Sequence, residues 1–179
     1  MKATSILRRY FRKVTGLPCW GVQSEFGTWL SFQFGEPSLD IKESVHGSKL
    51  LNRRRVFVIG PYHLWIEMGS WELFKNGPRP MFHSGQTREK LRRAAAHLSG
   101  QILIGISQTK KPLVTEFRFD HGYRLRVTKP YRARRDEHLW HLYLQRRVTS
   151  LRADGRLEYG LAKRRKLLRC PIEDAQFAV

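Results

Sequence analysis

The sequence predicts an α+β fold, a mainly antiparallel β-sheet of about ten short strands with one packed helix near residues 87–99 and basic terminal segments. Three observations lead to it. Apolar and polar residues alternate through many short segments, turn residues separate those segments, and one internal segment has a helical apolar stripe. With 179 residues, 41% of them hydrophobic, the chain fits one domain. We assign residues 17–160 to a single β-rich domain, residues 1–16 to a basic N-terminal segment and residues 161–179 to a basic C-terminal tail.

The first strands are predicted from alternation. In residues 28–34, Leu30, Phe32 and Phe34 recur at every second position, which is typical of a strand with one buried face. The segment HLWIEM, residues 63–68, repeats the pattern after the β-branched run VFVIG. The strands are therefore expected to present one apolar side to a common core.

The internal helix is predicted in TREKLRRAAAHLSG. Leu91, Ala94, Ala95 and Leu98 lie at i, i+3, i+4 and i+7, which gives one apolar stripe. Small alanines at the centre allow a close approach, so we expect the helix to pack across one face of a sheet. Gly100 follows its C-terminus.

The N-terminal segment can form a short basic helix, because Ile6, Tyr10 and Val14 recur at four-residue spacing opposite arginine and lysine. Since this stripe is weak, we expect the segment to order only on a partner. Its longest apolar run is too short for a signal peptide, and no later segment reaches the roughly 18 apolar residues of a membrane span. The expected location is the cytoplasm.

After Gly100 the sequence predicts strands throughout. Asp120-His121-Gly122 joins PLVTEFRF to YRLRVTK, and Ala153-Asp154-Gly155 joins VTSLR to RLEYG. Asp and Gly between alternating runs are a strong hairpin signal. Cys19 and Cys170 lie near opposite ends without metal-ligand spacing, which fits a reducing compartment, and whether they pair stays open.

The charge of the chain points to the class of partner. Lysine and arginine number 34 against 15 acidic residues, a net charge of +19, although self-repulsion works against a compact state. Nucleic acid is the leading expectation, because phosphate neutralisation releases counterions and supplies sequence-independent affinity. Two alternative functions are a bacterial accessory or immunity-type protein that binds an acidic protein partner, and a small metal-free nuclease. A further alternative is that the charge only maintains solubility.

The predicted interface consists of basic residues in the last third of the chain. Arg124 and Arg126 alternate with aliphatic residues and so point out from one sheet face, where Arg118 can join them from a neighbouring strand. Tyr123 and Tyr131 are available to stack on unpaired bases, or are ordinary strand aromatics. The predicted phosphate-binding residues are Arg118, Arg124, Arg126, Lys129, Arg132, Arg134, Arg135, and the tail cluster of Lys163, Arg164, Arg165 and Lys166.

The stretch RRDEHLWHLYLQRR suggests a metal or catalytic site, because two histidines lie three residues apart beside an acidic pair. Alternation favours a strand, in which His138 and His141 face opposite sides and do not share an ion. We therefore expect no metal site and no cofactor, and we assign no catalytic residue.

Catalysis has little support in the sequence. No phosphate loop, glycine-flanked nucleophile or metalloprotease motif occurs. A metal-free nuclease can be assembled from one or two histidines, an arginine or lysine and a tyrosine, all of which this chain has. The candidate arrangements are His63 with Glu67, and His121 beside Arg118 and Arg124.

The motifs GLPCWGV, TWLSFQFGEP, HLWIEMGSWEL and LRADGRLEYG resemble those of a family of small uncharacterised bacterial proteins, the conserved hypotheticals, across roughly residues 16–160. The resemblance implies no activity and no catalytic residue. This chain is more basic than the family pattern, especially in its C-terminal third.

Overall fold

A computed structural model describes residues 3–24, 29–43 and 54–162, which contain thirteen strands and two helices. The protein is mostly antiparallel β-sheet with some helix, consistent with the predicted class. In chain order the elements are α1 (Ala3–Phe11), β1 (Cys19–Ser24), β2 (Leu30–Phe34), β3 (Ser38–Lys42), β4 (Arg55–Ile59), β5 (Tyr62–Ile66), β6 (Ser70–Lys75), β7 (Pro80–His83), α2 (Arg88–Leu98), β8 (Leu103–Lys110), β9 (Leu113–Phe119), β10 (Tyr123–Thr128), β11 (His138–Leu144), β12 (Arg147–Arg152) and β13 (Leu157–Leu161).

The strands form two main antiparallel sheets and a ribbon. The six-stranded sheet has the order β1-β2-β5-β11-β12-β13, the five-stranded sheet has the order β7-β6-β10-β9-β8, and β3 pairs with β4. The two sheets meet at one corner, where Pro18 bridges Ile102 and the Cys19 amide donates to the Gln101 carbonyl at 2.9 Å. The core is shared between the sheets.

The core is built by the predicted alternation. Leu30, Phe32 and Phe34 are all fully buried, as their spacing predicts. Across the same sheet, Trp140 and Leu142 of β11 continue this buried face. The residues that alternate with them, such as Ser31, Gln33 and His141, therefore lie on the sheet face turned away from the core.

Helix α2 buries the predicted stripe of Leu91, Ala94, Ala95 and Leu98. It packs against β1 and β7, one strand from each sheet, and so differs from the expected position across one sheet face. Gly100 follows at φ +89°, in the left-handed region that glycine reaches without strain.

Helix α1 is part of the core, which corrects the expectation that this segment orders only on a partner. Its buried stripe is Leu7 and Phe11, continued by Val14 beyond the helix, and all three are fully buried. The predicted stripe contained Ile6 and Tyr10, one position before Leu7 and Phe11, because both pairs are four residues apart and apolar or aromatic. The Phe11 ring contacts Trp140 with a centroid distance of 5.5 Å.

The predicted hairpins are present. His121 and Gly122 connect β9 to β10 with positive φ, and Gly155 at φ +84° connects β12 to β13. Residues 129–137 link β10 in one sheet to β11 in the other. Among the residues that the structure describes, no helix combines the length and apolar character needed to cross a membrane.

Candidate functional site

Three predicted arginines share one face of the five-stranded sheet. Arg118 of β9 lies directly opposite Arg124 of β10, and Arg126 follows two residues along β10. Their strand neighbours Phe117 and Leu125 point into the core, so the arginines point outward. We call Arg118, Arg124 and Arg126 the arginine face.

Two members of the arginine face pack over an aromatic ring. The guanidinium carbons of Arg124 and Arg126 lie 5.1 Å and 4.7 Å from the centroid of the Phe74 ring, and Phe74 is only 2% exposed beneath them. Arg124 Nη2 also donates to the Gly77 carbonyl at 2.7 Å. These contacts fix two guanidinium groups whose remaining N–H groups can still meet an anion.

Acidic residues compensate the arginine face only in part. Glu116 Oε2 lies 3.7 Å from both Arg124 Nη1 and Arg126 Nη2, a distance longer than a charge-assisted hydrogen bond. Arg118 is exposed, and within the described ranges no carboxylate forms an ion pair with it. The face therefore keeps an excess of positive charge.

The arginine face continues into an exposed segment, residues 129–137, which we call the basic loop. Lys129, Arg132, Arg134 and Arg135 are all exposed there, and Tyr131 is fully exposed. The loop carries its own partial compensation: Arg134 Nη2 lies 3.5 Å from Asp136, and the Arg134 amide donates to Glu137 Oε2 at 3.1 Å. Because β10 runs directly into the loop, the two basic regions are continuous along the chain.

The two predicted stacking tyrosines lie in different environments. Tyr123 is 5% exposed, its hydroxyl lies 3.2 Å from His97 Nδ1, and Lys75 Nζ lies 4.9 Å from its ring centroid. Its ring is therefore not available to an unpaired base, because it points to the same side of β10 as Leu125. Tyr131 is exposed on the basic loop. The tail cluster of residues 163–166 lies outside the described residues.

The prediction that His138 and His141 face opposite sides is wrong. A β-bulge lies between His138 and Trp140, so that His138 pairs with Arg152 while Trp140 pairs with Leu151. The extra residue, Leu139, is buried. The bulge reverses the alternation, and the two imidazole rings lie on the same sheet face with centroids 4.7 Å apart.

The two histidines meet acidic and hydroxyl groups from neighbouring strands. His141 Nε2 lies 2.6 Å from Glu67 Oε2, just beyond β5, and His141 Nδ1 lies 2.6 Å from Ser150 Oγ on β12. His138 Nε2 lies 3.0 Å from Glu158 Oε2 on β13. We call Glu67, His138 and His141 the histidine cluster. Their potential ligand atoms all lie within 4.8 Å of one another.

The surroundings of the histidine cluster are acidic. Hydrogen bonds from His138 and Arg152 hold the pKa of the Glu158 carboxyl below its usual range. Arg152 contacts Glu158 at 3.0 Å and Asp154 at 3.1 Å. The carboxylates of Glu158 and Asp154 contact this guanidinium, and Glu67 contacts His141, so three carboxylates lie at or beside the histidine cluster in a chain whose net charge is +19.

His63 and Glu67, one of the two candidate catalytic arrangements, have separate partners. His63 stacks on Tyr143 with centroids 5.7 Å apart, whereas Glu67 contacts His141. Burial and the charge of His141 lower the pKa of His63 to about 4, so His63 is neutral at physiological pH. His121 is exposed in its turn, with Asp120 at 3.6 Å.

Sequence reasoning placed His138 and His141 on opposite sides because it did not anticipate the bulge, and it missed Glu67 because this residue is distant along the chain. Glu67 and His141 are 74 residues apart. No protein-family model matches this chain, and no curated protein or solved structure matches it significantly. The resemblance to small bacterial proteins stays a prediction, and the function is inferred from the chain's own residues.

Proposed function

We propose that the protein binds nucleic acid through the arginine face and the basic loop, assisted by the tail cluster Lys163, Arg164, Arg165 and Lys166. The observation that carries the proposal is the series of cations from Arg118 to Arg135, which are exposed except for the half-buried Arg124 and Arg126. Phosphate groups are its natural ligands, because arginine forks match their geometry and several contacts together release condensed counterions.

Two features support a pre-formed site for phosphates. Arg124 and Arg126 are already ordered over Phe74, so less side-chain entropy is lost when they bind an anion. Arg118 and Lys129 extend the positive surface on both sides of them and are exposed. The cations recognise the backbone and not the base sequence, and Tyr131 offers an exposed ring for stacking on an unpaired base.

The proposal is tested by fluorescence anisotropy with labelled single-stranded and duplex oligonucleotides of DNA and RNA, titrated over a range of salt concentrations. The test variant carries Arg118→Gln, Arg132→Gln and Arg135→Gln, three exposed positions that leave Phe74 covered. If each arginine neutralises one phosphate, the slope of log affinity against log salt falls by about 2 for single strands or about 3 for duplex.

The matched control carries Arg88→Gln, Arg92→Gln and Arg93→Gln on the exposed side of α2, which removes the same charge. We expect the control to retain most of the salt slope. Equal losses in the two variants would show a general charge effect and contradict the assigned interface. No binding at micromolar protein near physiological salt would contradict nucleic-acid binding altogether, and an acidic protein partner would then become the better interpretation.

A further inference from the structure

We propose that the histidine cluster, Glu67, His138 and His141, binds a divalent transition-metal ion of the zinc class. The observation behind this proposal is the convergence of two imidazoles and one carboxylate from β11 and the end of β5. It is independent of the proposed nucleic-acid binding, because none of these residues belongs to the arginine face or the basic loop.

The distances suit an ion after small side-chain movements. In a tetrahedral zinc site the ligand atoms lie about 2.1 Å from the metal and therefore about 3.4 Å from one another. The ligand atoms of the cluster lie within 4.8 Å of one another, so closing the site requires displacements of about 1 Å. Glu67 and His141 now share a hydrogen bond at 2.6 Å, and the ion would replace the proton between them.

The imidazole of His141 is oriented as a metal ligand requires. Ser150 Oγ holds Nδ1 at 2.6 Å, which leaves Nε2 directed at Glu67. Metal-binding histidines almost always have their second nitrogen held in this way, because the contact fixes the ring and its tautomer. Ser150 is itself buried on β12, so this support is firm.

The second imidazole reaches the cluster only through the bulge at Leu139. A regular strand would turn His138 into the core, and the bulge turns it beside His141 instead. Glu158 contacts His138 Nε2 at 3.0 Å and so orients this ring from β13. Bulges are common next to functional sites, where they redirect a side chain, and this bulge redirects His138 toward His141.

Charge and exposure also favour a cation. The side chain of His141 is 9% exposed, and those of Glu67 and His138 are each 26% exposed, so the cluster is partly buried and still in contact with solvent. Glu67, Glu158 and Asp154 outnumber the two guanidinium groups that pair with them, those of Arg152 and Arg156. Two imidazoles with one carboxylate favour zinc or a related ion over magnesium or calcium, and three protein ligands leave a coordination position for water.

The test uses the full chain, freed of metal with a chelator and titrated with ZnCl2 by isothermal titration calorimetry. We expect one ion per chain, and a loss of affinity of at least tenfold in His138→Ala and in the nearly isosteric Glu67→Gln. His121→Ala, an exposed histidine outside the cluster, is the matched control and should bind as the unaltered protein does.

Cobalt binding provides a second readout. The ultraviolet–visible absorption spectrum of the Co2+ form should show visible bands of nitrogen and oxygen ligands and no thiolate charge-transfer band in the near ultraviolet, a result that would exclude Cys19 and Cys170 as ligands. Circular dichroism of the metal-free variants controls for folding, and Glu67→Gln keeps the test valid if His138→Ala does not fold. Unchanged zinc affinity in folded Glu67→Gln, a thiolate band, or no zinc binding by the unaltered chain would overturn the proposal.

Discussion

Replacing Phe11 with alanine tests whether the N-terminal helix belongs to the core. The Phe11 ring is fully buried and contacts Trp140 at 5.5 Å, nearly perpendicular, and Phe117 at 5.7 Å. Truncating a buried phenylalanine to alanine costs about 3 to 5 kcal/mol of unfolding free energy, and each aromatic pair contributes about 0.5 to 1.5 kcal/mol of such a loss. We therefore expect a loss of about 4 kcal/mol.

The loss is measured by equilibrium unfolding in urea, followed by circular dichroism. With a slope of about 2 kcal/mol per molar urea, the unfolding midpoint of Phe11→Ala should fall by about 2 M. Arg12→Ala, an exposed neighbour, is the control and should stay within about 0.5 kcal/mol of the unaltered protein. A Phe11→Ala variant as stable as Arg12→Ala would refute the docking of α1 in the core.

Three further predictions concern single groups. As the pH falls from 7 to 4, His63 gains a proton in the unfolded chain before it does in the folded chain, and this difference lowers the free energy of unfolding. His63→Phe lacks this group, so over that range its free energy of unfolding in urea should fall by up to about 3 kcal/mol less than that of the unaltered protein. Burial raises the pKa of Cys19 to about 12, so in a Cys170→Ser variant Cys19 should resist alkylation when folded and react in urea; rapid reaction of the folded form would contradict its burial. Changing all four cations of residues 163–166 to glutamine should lower the salt slope by about 3 for single strands or about 4 for duplex, and leave any preference between base sequences unchanged.

The strands of the core could be predicted because their signal is local. Leu30, Phe32 and Phe34 alternate within five residues, and α2 shows its stripe within eight. The burial of Tyr123 was also readable from the sequence, because Tyr123 has the same parity as Leu125 on β10.

The histidine cluster could not be predicted, because it depends on cross-strand register. The bulge at Leu139 arises where β11 meets β12, and nothing in the segment HLWHLYL distinguishes a bulged strand from a regular one. Ser150 and Glu67 reach His141 from opposite neighbours. The docking of α1 was hidden for a similar reason, since its partners Phe117 and Trp140 lie more than a hundred residues away.

The location of the nucleic-acid interface is tested most directly by NMR. A single-stranded oligonucleotide is added to isotope-labelled protein, and amide shifts are followed for each residue. The largest changes are expected at Arg118, Arg124, Arg126 and residues 129–135, with α2 little affected. Changes confined to α2, or no changes at saturating oligonucleotide, would contradict binding by the arginine face and the basic loop.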